Sequence, residues 1–141
     1  MPASQDRGQT LISCIAAQTL SAFRVVRHTG TRNTVNLYDT TTSLIFGVTA
    51  DDSADGTGTS VKVVLAGTAK VACAASVSAG ALVTAQSATS SGLIMEVGAH
   101  VNNTTTAATP KILGIAMQAG STNSVIEVAL RIENVSKIAY A

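Results

Sequence analysis

Charge is scarce in this chain. Charged residues make up 12% of its 141 residues and the formal net charge is +1, where an ordinary soluble domain carries about 25% charged residues. A neutral chain offers no basic stripe, which argues against an electrostatic grip on nucleic acid. Aromatics are 3% and tryptophan is absent, so the platforms on which single-stranded bases stack are missing as well. No apolar run reaches the length of a membrane-crossing helix. The polar start "MPASQDRGQT" has no apolar core of a secretory leader. Cysteine is limited to Cys14 and Cys73. Two cysteines make no disulfide framework, and without a leader both are expected reduced and buried.

The chemistry-bearing patterns are equally thin. No serine stands in G-x-S-x-G, and neither "GTAKVAC" nor "GTGTS" is a phosphate-cradling P-loop. Outside Asp51–Asp55 the acids are scattered at Asp6, Asp39, Glu96, Glu127 and Glu133, with no matched acid–base pair. His28 and His100 are the only histidines, whereas a zinc site needs three or four ligands. Asp51, Ser53, Asp55 and Gly56 read as the opening of a calcium loop. The twelfth position, which should be a bidentate carboxylate, is Lys62, and the flanks read as strands. The segment is therefore taken as a solvated hairpin loop. The expectation is a protein that is not an enzyme, holds no metal or cofactor, and has little use for a small-molecule ligand.

What is abundant is Ala, Thr, Ser, Val and Gly. This β-branched, small-residue mixture favours strands, and a surface with few charges suits packing into an assembly, where charges would have to be desolvated. The chain is long enough to bury roughly two-thirds of its unfolded surface. Strands are expected at 22–28, 34–39, 44–50, 60–66 and 68–75, then at 77–85, 92–98, 111–118 and 123–132. In 60–66 the alternation places Val61, Val63 and Leu65 on one face. Segment 10–20 fits a helical spacing through Leu11, Ile12, Ile15 and Ala16, but its Thr, Ile and Cys suit an extended chain, and it is read as a strand.

The pattern is written twice. "LSAFRVVRH" is answered by "VSAGALVTA", "LIFGVTA" by "KILGIAMQ", and "TSVKVVLAG" by "NSVIEVALRI". Ser78 against Ser21 gives an offset of 57, Gly114 against Gly47 gives 67, and Leu130 against Leu65 gives 65. The register changes only at loops, the largest change being about the size of the Asn/Thr-rich insertion 98–110. The fold class expected is all-β: a compact sandwich or barrel built from two duplicated β-meander halves, about 20–76 and 77–141. They form a single β domain over 20–141, preceded by an extended N-terminal arm, 1–19. Neither half can bury both its faces alone, so the two share a core. Gly47 and Gly114, each inside an apolar run, are expected where the halves cross.

Several stretches together resemble the capsid cement, or head decoration, proteins of tailed bacteriophages. They are Val61 to Gly67, Ala69 to Val71, Ser78 to Thr84, Gly92, Ile112 to Ala116 and Ile126 to Leu130. The likeness spans about 20–131 and departs in the arm and in 98–110. It implies a virion structural protein, typically a homotrimer, on the outer surface of the head, where it would staple neighbouring major capsid subunits. The residues expected at such interfaces are Gln9, Thr10, Leu11 and Ile12 of the arm, which could add a strand to a neighbour's sheet edge. Arg24, Arg27 and Arg32 would face acidic capsid patches, and Asn102 and Asn103 belong to the insertion. The competing reading of the arginines is charge on an edge strand that blocks aggregation. The competing functions are another phage head or tail structural protein and a carbohydrate-binding β module on a virion. The second is weakened by having only Phe23, Phe46, Tyr38 and Tyr140 for stacking.

Overall fold

A computed structural model of the chain describes residues 8–38, 44–50, 56–85, 92–97 and 111–133. The first part of the arm, the Asp51–Asp55 loop, His100, the insertion with Asn102 and Asn103, and the C-terminal tail lie outside the described residues. Ten strands carry the described structure: β1 (Thr10–Ala16), β2 (Val25–His28), β3 (Thr34–Leu37), β4 (Gly47–Thr49), β5 (Ser60–Ala66), β6 (Thr68–Ala72), β7 (Leu82–Ala85), β8 (Ile94–Glu96), β9 (Ile112–Ala116) and β10 (Val125–Glu133). The architecture is all-β, as the composition and the turn spacing imply.

The first five strands close into a barrel in the order β1-β3-β2-β4-β5, and the last five form a sheet in the order β6-β10-β9-β7-β8. Corresponding strands pair alike. β1 runs antiparallel to β5 and parallel to β3, as β6 runs antiparallel to β10 and bridges in parallel to β8 through Cys73 and Ile94. Val26 lies opposite Gly47, and Val83 lies opposite Gly114. Those pairs reproduce the offsets 57 and 67 read from the sequence. Val48 opposite Val64 and Ile115 opposite Ala129 reproduce 65.

Even the unusual backbone angles repeat. Left-handed Phe23 (φ 64°) matches Gly80 (φ 85°), and Asn33 (φ 56°) matches Gly92 (φ 69°). A turn that demands positive φ is therefore kept in both copies although the residue filling it changes. An L side chain there costs about 1–2 kcal/mol.

Three expectations are corrected. The halves are not simple meanders, because β1 lies beside β3 and β5 rather than β2. Residues 10–16 are not a free arm: their main chain pairs with β5 along Thr10 to Ile15 and with β3 at Ile15 and Ala16. Pairing also shifts the phase of the repeat. The units are β1–β5 and β6–β10, and Thr68–Ala72 opens the second rather than ending the first. The polarity pattern could not reveal this, since β1 and β6 are each joined to their unit by pairing across the whole half.

Alternation divides the side chains of the first half into two sets. Cys14, Val26, Val35, Val61 and Val63 turn inward with Leu20 into the barrel core, with Leu65 packed against them. Val25, Val48 and Val64 turn outward, with Tyr38 and Ile45, and join the core of the second half, which includes Val71, Val83, Ile94, Leu113, Ile126 and Val128. A fully buried valine contributes roughly 1.5 kcal/mol or more, so this outer face is a substantial clamp between the halves.

Gly47 and Gly114 do not stand at that crossing. A Cβ at Gly47 would lie 2.6 Å from the carbonyl of Val64, and one at Gly114 would meet the carbonyl of Ala129. Both glycines let β4 and β9 approach their own neighbours, β5 and β10, within one half.

Candidate interaction surfaces

The two halves differ most at one seam. In the first half, β1 and β3 are joined where the Ile15 N–H donates to the Asn33 carbonyl at 2.6 Å. The corresponding groups in the second half are the Ala72 N–H and the Gly92 carbonyl, and they do not bond each other in this way. The Ala72 N–H donates to the Phe23 carbonyl at 3.0 Å, and the Gly92 carbonyl accepts from the Val25 N–H at 2.8 Å. Residues Phe23, Arg24 and Val25 of the first half thus form a main-chain wedge between β6 and the approach to β8. The seam closes again beyond it, where the Ala74 N–H donates to Ile94 at 2.7 Å, as Ala17 does to Val35 at 2.9 Å.

Gly92 makes room for the wedge. A Cβ there would sit 2.7 Å from the Val25 carbonyl and 3.1 Å from a Leu37 methyl. Asn33, at the corresponding place, carries a side chain. Thr49 anchors the wedge from behind. It is fully buried; its hydroxyl donates to the Ser21 carbonyl at 2.8 Å and accepts from the Arg24 N–H at 2.9 Å. The second half has Ala116 at this place, so the matching segment Gly80–Leu82 has no hydroxyl anchor.

The residues expected at interfaces fall into separate places. Gln9 donates its side-chain amide to the Thr68 carbonyl, tying the start of β1 to the start of β6. Thr10, Leu11 and Ile12 are exposed on β1. Arg24 lies in the wedge, Arg27 pairs with Asn36 inside β2–β3, and Arg32 is exposed in the turn between them. β2 lies between β3 and β4 in a closed barrel, so the reading of these arginines as edge-strand charges is corrected: the strand has no free edge to protect.

Two other candidates resolve into structure. The His28 Nδ1 accepts from the Gly30 N–H at 2.9 Å, and the ring meets Phe46 edge-on with centroids 5.5 Å apart. This histidine closes a turn. Cys14 and Cys73 are free and buried, as expected, and burial pushes both thiols above their ordinary pKa. They are poor sources of thiolate for ligation or attack.

Apart from Leu11 and Ile12, sequence reasoning missed the apolar side chains left on the outside. Leu82 and Met117 are exposed on one side of the second half, and Leu11 and Ile15 on β1 of the first. Alternation marked some of these positions as outward, but only the duplicated topology relates them to each other.

No protein family model matches the chain, and no curated protein matches it. Among solved structures the fold is found again. The base of the head fiber gp8.5 of bacteriophage phi29 superposes with a TM-score of 0.59 at 13% identity, covering 94% of this chain and 99% of that one. At this identity the likeness is one of fold, extending over nearly the whole of both chains.

Proposed function

We propose that this protein is a structural component of a phage head that binds the outer surface of the capsid. The observation that carries the reading is the near end-to-end sharing of a fold with the base of a phage head fiber. The strand-and-turn motifs from Val61 to Leu130 support it independently, since they resemble head decoration proteins. The low charge suits a surface that becomes an interface. In this reading β1, with Thr10, Leu11 and Ile12, and the turn bearing Arg32 are available for capsid or neighbour contacts, and the partners are the major capsid protein and further copies of this chain.

Two forms of the role differ in consequence. A cement protein staples neighbouring capsid subunits; a fiber base occupies a site and carries something outward. The resemblance in sequence favours the first and the solved structure favours the second. Co-sedimentation of the purified protein with expanded capsids tests the shared claim, and absence of binding would overturn it. Heating decorated and undecorated capsids then separates the forms. A staple raises the temperature of capsid rupture, and a fiber base leaves it unchanged.

A further inference from the structure

The repeat puts β1 and β6 in the same place, yet only one of their edges is protected. Neighbouring residues of an antiparallel strand send their N–H and C=O groups to opposite sides. Ala16 sends its own toward β5, donating to the Thr59 carbonyl and accepting from the Gly58 N–H. By alternation Cys14 and Ile12 face β5 as well, and Leu11, Ser13 and Ile15 face the other way. Ile15 is met there by Asn33, but β3 reaches β1 only at Ile15 and Ala16. β1 therefore outruns β3. Among the described residues, no main-chain partner meets Leu11 or Ser13 on that side.

Their counterparts in β6, by the offset of 57, are Thr68 and Lys70, with Ala72 matching Ile15, and that edge is guarded. The Thr68 carbonyl accepts from the Gln9 side-chain amide, and the Ala72 N–H donates to the Phe23 carbonyl. Between them the exposed Lys70 sets a charge on the edge. Charged side chains, lysine above all, and covering segments are how sheets keep stray strands away. In β1 the place of Lys70 is held by Ser13, and Leu11 and Ile12 are 43% and 36% exposed. Open main-chain groups and apolar flanks are what strand addition uses, the first for affinity and the second for selection.

The surroundings select the strand. Lys62 stands opposite Ser13 on β5 and is exposed. An added strand on the far side of β1 would lie about 10 Å from β5, two strand spacings away. Glutamate and lysine side chains together span that distance across the small Ser13. Arg32, also exposed, stands in the turn beside Asn33, where the open edge stops. A second copy of this chain would bring the same two cations rather than their complement.

We propose that the Thr10–Ser13 edge of β1 binds an extended segment of another protein. That segment carries apolar side chains beside Leu11 and Ile12 and a carboxylate toward Lys62 and Arg32. β1 thus accepts a strand instead of lending one. That the strand belongs to a capsid subunit rests on the function proposed above; the edge itself does not.

The probe is a synthetic eight-residue peptide in which valine and threonine alternate and the last two residues are glutamate. Hydrogen exchange of the full chain, read residue by residue by NMR, should find the Leu11 and Ser13 amides fast in the free protein and those of Ile12 and Cys14 slow. Excess peptide should slow Leu11 and Ser13 several-fold. Lysines in place of its glutamates should weaken binding about fivefold or more, the effect of two exposed ion pairs. Ser13→Pro should abolish protection of Leu11 while leaving the melting temperature nearly unchanged, because the N–H it removes faces away from β5. If that variant fails to fold, a peptide methylated on every backbone nitrogen serves instead, and it should give no protection. Leu11 and Ser13 left unprotected by excess peptide would overturn the proposal, as would a methylated peptide that protects them equally. Amides already slow at every dilution would mean that the chain covers its own edge. Amides slow only in concentrated protein would mean that a second copy takes it. Either result sinks the idea. A chain that takes the peptide but does not sediment with capsids keeps this inference and ends the capsid reading; one that sediments with capsids and ignores the peptide does the reverse.

Discussion

The first half of the molecule is a shut barrel and the second is the same barrel held open by a piece of the first. Their strands correspond one to one, in direction and in register. The difference lies in three residues, Phe23 to Val25, whose main chain takes hydrogen bonds that the second half would otherwise use to close itself. Copies of one unit can thus be made inequivalent by contact alone, without a change of topology. The unit that inserts is reinforced by Thr49 and the unit that receives is hollowed at Gly92.

The sharpest way to break this comparison is to place the same substitution on corresponding strands. Val48→Asp would bury a carboxylate between the halves and should cost about 4 kcal/mol or more. That is enough to unfold a domain of ordinary stability. Ile115→Asp, at the matching but half-buried position, should cost about 1 kcal/mol in the monomer. Chemical denaturation of both variants measures the gap, and equal costs would mean that the first half's outer face is not buried as described.

The glycines give the next largest contrast. Gly92→Ala combines left-handed backbone strain with a Cβ 2.7 Å from the Val25 carbonyl, and should cost about 2–4 kcal/mol. Gly80→Ala meets open space and should cost only the strain, about 1 kcal/mol. A smaller loss is expected from Thr49→Ala, which installs the residue of the second half. It strips the Arg24 N–H and the Ser21 carbonyl of their partner and should cost about 1–2 kcal/mol. Hydrogen exchange at Arg24 should quicken correspondingly.

The mildest change exchanges the buried thiols for the residues the other copy carries. Cys14 corresponds to Val71 and Cys73 to Ala16, by the offset of 57. Cys14→Val with Cys73→Ala should alter stability at neutral pH by less than about 1 kcal/mol. Burial raises both thiol pKa values above the ordinary 9.0. The unfolded chain therefore loses these protons first as pH rises, and stability that is constant below about pH 9 falls above it. Thermal melts from pH 8 upward should show a shallower decline in the double variant than in the parent.

Much of this was legible in the order of residues. The alternation in Val61–Leu65 predicts the inward face that the barrel core confirms. The pairing of "LSAFRVVRH" with "VSAGALVTA" aligns Phe23 with Gly80, which share a left-handed backbone. The equivalence of Gly47 and Gly114 was visible too, but their purpose was misjudged, because a glycine in a strand signals close approach without naming the neighbour. The arm was misjudged for a related reason. Thr10–Ala16 does not pair with β2, the next strand in sequence; its partners lie 45 to 56 residues on in β5, and 19 residues on in β3.

Local chemistry by itself determined the strands, the turns with positive φ, the two-copy pattern and the scarcity of charge, since each depends on residues close together in the chain. Only the tertiary structure decided which half closes, which face each β1-type strand presents, and where apolar side chains remain uncovered. Those outcomes depend on hydrogen bonds and packing between distant segments. Ile15 and Ala72 occupy the same place in the repeat, yet the N–H of the first bonds to Asn33 within its own half and that of the second bonds to Phe23 of the other half.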